Sequence, residues 1–293
     1  NMKSVFASYL IRLRFPKFYN SKLAWYYFQS PNYWKQIIDK SVGTGQPNVN
    51  GTKLGELQIP LCSIPEQRRI IAKIEELFSE LDKGIETLRN AKEQLKVYRQ
   101  AVLKYAFEGR LTNPDVKEGE LPIGWQVKTF GGCTINFDGK RVPLSREVRA
   151  KRRGMFRYYG ATEIVDFIDD YIFDGRYLLI GEDGANLLSK SKPLSHITEG
   201  QFWVNNHAHI VQAVAGINLD YLCHYFNALQ LDSYVTGTAQ PKLTQTNLNK
   251  IPVSLPISTE EQEKIVQEIE SRLSICDKIE ESIGQGLKQA EAL

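Results

Sequence analysis

Apolar residues recur at spacings of three and four along two stretches of the chain. In the first, Ile70, Ile74, Phe78, Leu81, Ile85, Leu88, Ala91, Leu95, Tyr98, Val102 and Tyr105 are separated by Glu, Lys and Arg; in the second, Ile265, Ile269, Leu273, Cys276, Ile279, Ile283, Leu287 and Ala290 repeat the pattern. A period near 3.5 residues predicts two long helices, each with a coiled-coil stripe. Ser63-x-x-Glu66 with Pro65 is a capping-box start for the first, and Ser258-x-x-Glu261 or Thr259-x-x-Gln262 for the second. A first helix ending at Gly109 would be about 65 Å long, and so long a stripe has to be covered. The economical cover is the second helix, packed antiparallel. Gly84, Gly284 and Gly286 leave a second arrangement open, in which each helix folds onto its own domain.

Residues 112–258 show a different pattern. Short β-rich runs, Trp125-Gln126-Val127, Tyr171-Ile172-Phe173, Tyr177 to Ile180, Phe202-Trp203-Val204 and His209-Ile210-Val211, are punctuated by Gly, Asp and Asn turns. Leu219 to Leu231 reads as a buried helix through Tyr221, Leu222, Tyr225, Phe226 and Leu229. The expected class is α+β.

The chain also repeats itself at an offset of about 195 residues. Gly43-Thr-Gly-Gln-Pro47 returns as Gly237-Thr-Ala-Gln-Pro241, and Leu57-Gln-Ile-Pro-Leu61 as Ile251-Pro-Val-Ser-Leu255. Glu66-Gln67 answers Glu261-Gln262, Ile74-Glu75 answers Ile269-Glu270, Asp82-Lys83 answers Asp277-Lys278, and Tyr27-Phe28 answers Tyr225-Phe226. The unit is a globular domain ending in a long helix. By this register the first copy lacks about 80 residues at its front and the second helix stops about a dozen residues early.

Composition adds limits rather than detail. The 293 residues are 42% hydrophobic, with 37 Lys plus Arg against 34 Asp plus Glu. No run approaches the roughly 18 apolar residues of a membrane helix, so an intracellular, cytoplasmic protein with no membrane partner is expected. Cys62, Cys133, Cys223 and Cys276 form no C-x-x-C pair, which argues against a zinc ribbon or disulfide scaffold. The net charge of +3 conceals segregation: residues 1–65 carry 8 basic and 2 acidic groups, whereas residues 259–293 carry 4 and 9.

Four features could carry chemistry. The segment from Lys140 to Arg153 holds seven cations (Lys140, Arg141, Arg146, Arg149, Lys151, Arg152 and Arg153) and one carboxylate. Clustered Arg and Lys neutralise phosphates, and Arg can read guanine, so nucleic acid is favoured over a merely solvated basic loop. In Ile180-Gly-Glu182-Asp183-Gly-Ala-Asn186, two adjacent carboxylates could serve a hydrolase, but neighbours on a strand point to opposite faces, which favours a structural turn. His207-x-His209 could begin a metal site, yet no third ligand stands at a sensible spacing, and a hydrogen-bonded pair is expected instead. Finally, Thr238, Gln240 and Lys242 lie on a small-residue turn, where Gln could contact adenine or backbone and Lys a phosphate; a purely structural bend stays open. No phosphate-binding loop, methyltransferase motif or nuclease constellation appears.

Together these stretches resemble the specificity subunits of type I restriction-modification systems. The likeness rests on Ile64-Pro-Glu-Gln-Arg-Arg-Ile-Ile71 opening a long helix, Tyr98-Arg-Gln-Ala-Val-Leu103 closing it and Gly109-Arg-Leu-Thr112 after it. Leu121-Pro-Ile-Gly-Trp125 resembles the start of a target-recognition domain, and Lys140 to Ser145, Tyr158 to Thr162, Ile180 to Ala185 and Trp203 to Ala208 resemble segments inside one. The resemblance implies mixed α/β recognition domains joined by long helices in an antiparallel coiled coil, with no chemistry of their own. Each domain would read half of a split site on double-stranded DNA, and the helices would set the gap. Modification subunits using S-adenosylmethionine, and a restriction subunit using ATP and Mg, would act as partners; no cofactor is expected in this chain.

The expected division is residues 1–62 as the C-terminal part of a first recognition domain, 63–110 as a spacer helix, 111–257 as a complete second domain and 258–293 as a shortened second spacer. In the first part Lys3, Arg12, Arg14, Lys17 and Lys22 are DNA-contact candidates only in a complete molecule. Self-association through the unpaired helical surface would rebuild two-fold geometry. A coiled-coil interaction or inhibitor protein without DNA readout, and a hydrolase using Glu182 and Asp183, are the alternatives.

Overall fold

A computed structural model describes residues 10–41, 49–161, 163–237 and 240–292. The chain divides into two compact units: residues 1–89 with 287–293, and residues 90–286.

In the first unit, α1 (Ser21–Tyr27), α2 (Pro31–Lys40) and α3 (Gly51–Gly55) precede α4 (Ile64–Phe107), whose first part belongs here. Each short helix starts where a polar side chain satisfies a free backbone donor: Asn20 accepts from Lys22 N, Ser30 from Tyr33 N and Asn50 from Lys53 N. The core is small, comprising Tyr19, Leu23, Ala24 and Ile71. Beside it lies a cavity of about 260 Å³ lined by Leu23, Tyr26, Tyr27, Cys62, Ile70 and Ile74, among others. Gly43 to Pro47, one half of the recurring turn, falls outside the described residues, as does Lys3.

The second unit contains the rest of α4 and, in order, β1 (Trp125–Thr129), α5 (Phe130–Cys133), β2 (Thr134–Asn136), α6 (Arg146–Lys151), β3 (Arg153–Tyr159), β4 (Ile164–Ile168), β5 (Phe173–Gly181), α7 (Asn186–Ser189), β6 (Ser195–Val204), β7 (Ala208–Ala213), α8 (Leu219–Ala228), α9 (Gln245–Lys250), β8 (Pro252–Pro256) and α10 (Thr259–Glu291), whose last residues belong to the first unit. Six strands form one sheet in the order β2-β7-β5-β6-β3-β4, and β1 pairs with β8 in a separate antiparallel ribbon. Among the described residues, only the β3–β6 pair runs parallel.

The burial of β5 explains its sequence. Leu178 and Ile180 enter one core with α8 and α10, while Tyr177 and Leu179 enter another with Phe173, Phe202 and Ile210 on the opposite face. A strand covered on both faces reads as a continuous apolar run rather than an alternating one. The runs Tyr171 to Phe173 and Tyr177 to Ile180, read separately from sequence, meet across Gly175, whose φ of 128° only glycine adopts freely.

Helix α4 ends in a Schellman motif. Gly109 N–H donates to Ala106 O at 3.1 Å and Arg110 N–H to Tyr105 O at 2.9 Å, with Gly109 at φ 75°. A Cβ there would also lie 2.2 Å from Pro122 Cγ, so Gly109 is required twice over. Within the second unit α4 and α10 share a seam, with Leu95 and Val102 buried on one side and Val266, Ile269, Cys276 and Ile283 on the other. Lys92 faces Glu280 at 3.6 Å, Arg99 faces Asp277 at 2.6 Å, and Thr112 beyond the helix reaches Glu261 at 3.1 Å. Rising numbers on one strand of the seam meet falling numbers on the other, so it is antiparallel, as the stripe required. The capping box at α10 is only half made: Ser258 Oγ accepts from Glu261 N–H, but the Glu261 carboxylate accepts instead from Thr112, Asn113 and Trp125. All four cysteines are free, and burial pushes the Cys223 thiol up to about 11.

The repeat holds at the level of atoms. Gln67 accepts from Asn20 N–H at 2.7 Å and donates to Phe18 O and Cys62 O. Gln262, in the other unit, accepts from Asn218 N–H at 2.8 Å and donates to Gly216 O and Pro256 O. Both glutamines are fully buried. Tyr27 hydroxyl donates to Gln58 O at 2.8 Å, and its counterpart Tyr225 to Pro252 O at 2.9 Å.

Candidate nucleic-acid interface

The basic segment is not one loop. Lys140 ends a 3-10 turn (Asp138–Lys140), residues 141–145 are extended, Arg146 to Lys151 form α6 with Ser145 as its cap, and Arg153 opens β3. This local structure sorts the seven cations into two groups. Arg141 is largely buried, bonded to Glu182 at 2.7 Å and to Ala208 O at 2.5 Å. Arg149 holds Asp166 at 3.2 Å and Leu144 O at 2.6 Å, and lies 4.9 Å from the Tyr158 ring centre. Arg152 pairs with Asp169 and Asp170 and stacks 5.2 Å from the Trp203 ring centre. These three fasten the segment to the sheet. Lys140, Arg146, Lys151 and Arg153 are exposed and make no ion pair among the described residues. Lys140 does lie 5.1 Å from the Phe137 ring centre.

Beneath the segment, the features read separately in the sequence converge. Glu182, at the end of β5, bonds Arg141 and also Lys242 at 3.1 Å. The Lys242 loop is closed at its base: Thr236 and Lys242 exchange both backbone hydrogen bonds, and Gly237 has φ 85°. It is pinned to β5 by Gly184 N–H on Pro241 O and Leu243 N–H on Glu182 O. Gln240 is exposed on that turn, whereas Thr238 lies outside the described residues. Thus the structure brings Arg141, Glu182, Lys242 and His209 into one cluster.

Asp138 is the member that sequence reading missed. Its Oδ2 lies 2.5 Å from His209 Nδ1, its Oδ1 accepts from Ile210 N–H, and His209 Nε2 faces Leu243 O at 2.8 Å. Asp138-Gly139 after the short Thr134-Ile-Asn-Phe137 stretch is a turn signal, but nothing local ties it to a histidine 71 residues away. Both histidines are hydrogen-bonded, but they do not share one strand face: His207 sits in a turn and takes Asp183 at 2.7 Å, while His209, on β7, takes Asp138. Glu182 and Asp183 likewise go to different partners, as expected of strand neighbours, so they do not converge on one substrate.

Asp138, Glu182 and His209 offer ligand atoms within 4.8 Å of one another, a closeness the His207-x-His209 spacing did not suggest. The cluster already contains the Arg141 guanidinium and the Lys242 ammonium, both bonded to Glu182, so its carboxylates are neutralised from within. Burial alone would raise the Asp138 and Glu182 carboxyls. The hydrogen bonds from His209 to the former and Arg141 to the latter prevail and hold both below the ordinary carboxylate range. The arrangement is a positioning network that locks the 138–141 turn, the β5 end, the β7 start and the 236–243 turn together.

Comparison with known proteins decides the family. The family described as "Type I restriction modification DNA specificity domain" matches residues 1–96 and 122–289. The chain belongs to it. Among its relatives, a putative type I restriction enzyme specificity subunit of Haemophilus influenzae is 33% identical over 116 residues, 40% of this chain and 29% of that one. The type I restriction enzyme StySPI specificity subunit of Salmonella potsdam is 23% identical over 98% of this chain and 66% of its own length. The chain therefore spans at most about two thirds of the length of these specificity subunits. The fold agrees with the crystal structure of the HsdS subunit from Thermoanaerobacter tengcongensis, at a TM-score of 0.65, 16% identity and coverage of 94% of this chain and 69% of that one. In this member of the specificity family, the pinned Arg141, Arg149 and Arg152 give the basic segment its shape, and the four exposed cations give it an accessible charge.

Proposed function

We propose that the chain is a non-catalytic DNA-recognition subunit, in which the second unit reads one half of a bipartite site on double-stranded DNA. Phosphate contacts come from Lys140, Arg146, Lys151 and Arg153, and Gln240 on the neighbouring turn lies within reach of base or backbone. The α4 and α10 helices set the distance between half-sites and dock modification subunits, which bring S-adenosylmethionine; a restriction subunit brings ATP and Mg. The protein acts in the cytoplasm, where the DNA is. What carries the reading is the sorting of one basic segment into three fastened arginines and four exposed cations: a merely solvated surface needs no such scaffold. Two strands of support are independent, the family match and the absence of any convergence between Glu182 and Asp183 that a hydrolase would need.

The test is to copurify the chain with a modification subunit and map methylated adenines. A split recurring sequence flanking the modified adenines is expected; methylation without sequence preference, or none, overturns the reading. Replacing Lys151 and Arg153 by Ala should weaken binding evenly across sequences and lower the slope of log affinity against log salt by about 1 per contact. An unchanged slope removes those side chains from the interface.

A further inference from the structure

Strand β3 carries an irregularity beside the exposed cations. Arg153 and Phe156 both lie opposite Ile168, so Gly154 and Met155 between them have no partner on the β4 side of the ladder. Such bulges bend a strand and re-aim a side chain. At Gly154 the close approach is obligatory: a Cβ would lie 2.4 Å from Asp169 Cα and 2.4 Å from Ile168 O, both of them backbone. The next residue stands out into solvent, with Met155 77% exposed.

The base of this projection is fixed. Arg152, just before it, is held by Asp169 and stacked on Trp203, and its carbonyl accepts from Asp169 N–H at 2.9 Å. Phe156, just after it, packs 5.1 Å from the Tyr171 ring. Between these anchors a thioether, which makes no phosphate contact, is presented in a segment whose accessible members, Lys151 and Arg153, are cationic. Isolated exposed methionines are common, but one mounted on a glycine-dependent bulge between two fixed residues is placed.

Cations beside an apolar tip match what a major groove offers, phosphates along its edges and the thymine methyl inside it. Resting on the DNA-reading role above, we propose that Met155 is a specificity-determining residue that contacts a thymine methyl group in the recognised half-site.

The experiment compares the full chain with Met155→Ala, each assembled with the modification subunit, on duplexes enriched from a random pool by the native chain. Every thymine of the enriched site is replaced in turn by uracil, which removes only the methyl group. The expected result is one position where uracil weakens native binding about four-fold, the value of one buried methylene-sized group, and leaves Met155→Ala binding unchanged. An equal loss in both proteins, or no position sensitive to uracil, overturns the inference while leaving the enriched site, and so the DNA-reading role, intact. A native chain that enriches no sequence overturns both. Because Met155 is exposed, thermal unfolding of Met155→Ala should match the native chain, and a matching midpoint excludes loss of fold as the cause.

Discussion

The same glutamine appears at the start of both long helices with the same three hydrogen bonds, but the surroundings differ. In the second unit, Tyr221 and Tyr225 of α8 are covered by the end of α4: the Phe107 ring lies 5.3 Å from one and 5.0 Å from the other, and Ala106 is fully buried. In the first unit the corresponding Leu23 and Tyr27, with Ile70 and Ile74 opposite Ile265 and Ile269, line an open cavity. Among the described residues the first unit also has no strand, whereas the second builds a six-stranded sheet above its helices. Among the described residues, the hydrogen bonds of the clamp that joins an aromatic helix to a long helix are thus the same in both units, although only the second sets a sheet beside them. What distinguishes the units is what lies over the clamp, and that depends on a neighbouring segment rather than on the repeated residues.

The sharpest way to break this comparison is Phe107→Ala, which should open in the second unit a cavity like that of the first. A cost of about 3 kcal/mol in urea unfolding is expected, since a large aromatic is lost from a site its neighbours can only partly refill. A cost below about 1 kcal/mol would mean that Phe107 is not the cover. Next, Gln67→Ala and Gln262→Ala should each destabilise their own unit by about 2 kcal/mol, because each strands one buried donor and two acceptors. Hydrogen exchange at Asn20 and Asn218 amides reports the two clamps separately, and protection lost at only one of them would show that they are not equivalent.

A smaller effect sharpens what the second unit alone possesses. Glu182 and Asp138 are held below the ordinary carboxylate range, so the stability they contribute is fully present above about pH 5 and is lost as pH falls through their folded-state values. Glu182→Gln should cost about 1 kcal/mol near neutral pH and flatten the decline of stability between about pH 5 and pH 3. An unaltered pH profile would show that the Arg141 and Lys242 pairs do not contribute.

Sequence and structure agree where contacts are local or periodic. The helical stripe, the Gly109 stop and the Glu-Gln recurrences could all be read because each depends on residues within a turn or two, or on self-comparison. Even the pairing of Tyr27 with Tyr225 was visible before its hydrogen bonds were. The cluster around Glu182 was not, because Asp138, Arg141 and His209 meet it only once the order β2-β7-β5 sets three distant segments side by side, and Lys242 only once its loop is bonded onto the end of β5. For the same reason the basic segment gave its total charge but not which cations are fastened: Arg152 differs from Arg153 only because Asp169 and Asp170, in the connection after β4, and Trp203 on β6 are brought to it by the sheet. The bulge at Gly154 has no sequence signature of its own, since a bulge exists only relative to the strand opposite.

The repeated clamp has a consequence for how such proteins can change. Gln262, Asn218, Gly216 and Pro256 all lie after the last strand of the large sheet, so residues between about 130 and 213 make none of these hydrogen bonds, and a replacement for them has to keep the apolar face that Leu178 and Ile180 turn to α8 and α10. A lineage could then exchange its reader wholesale and inherit the mounting unchanged.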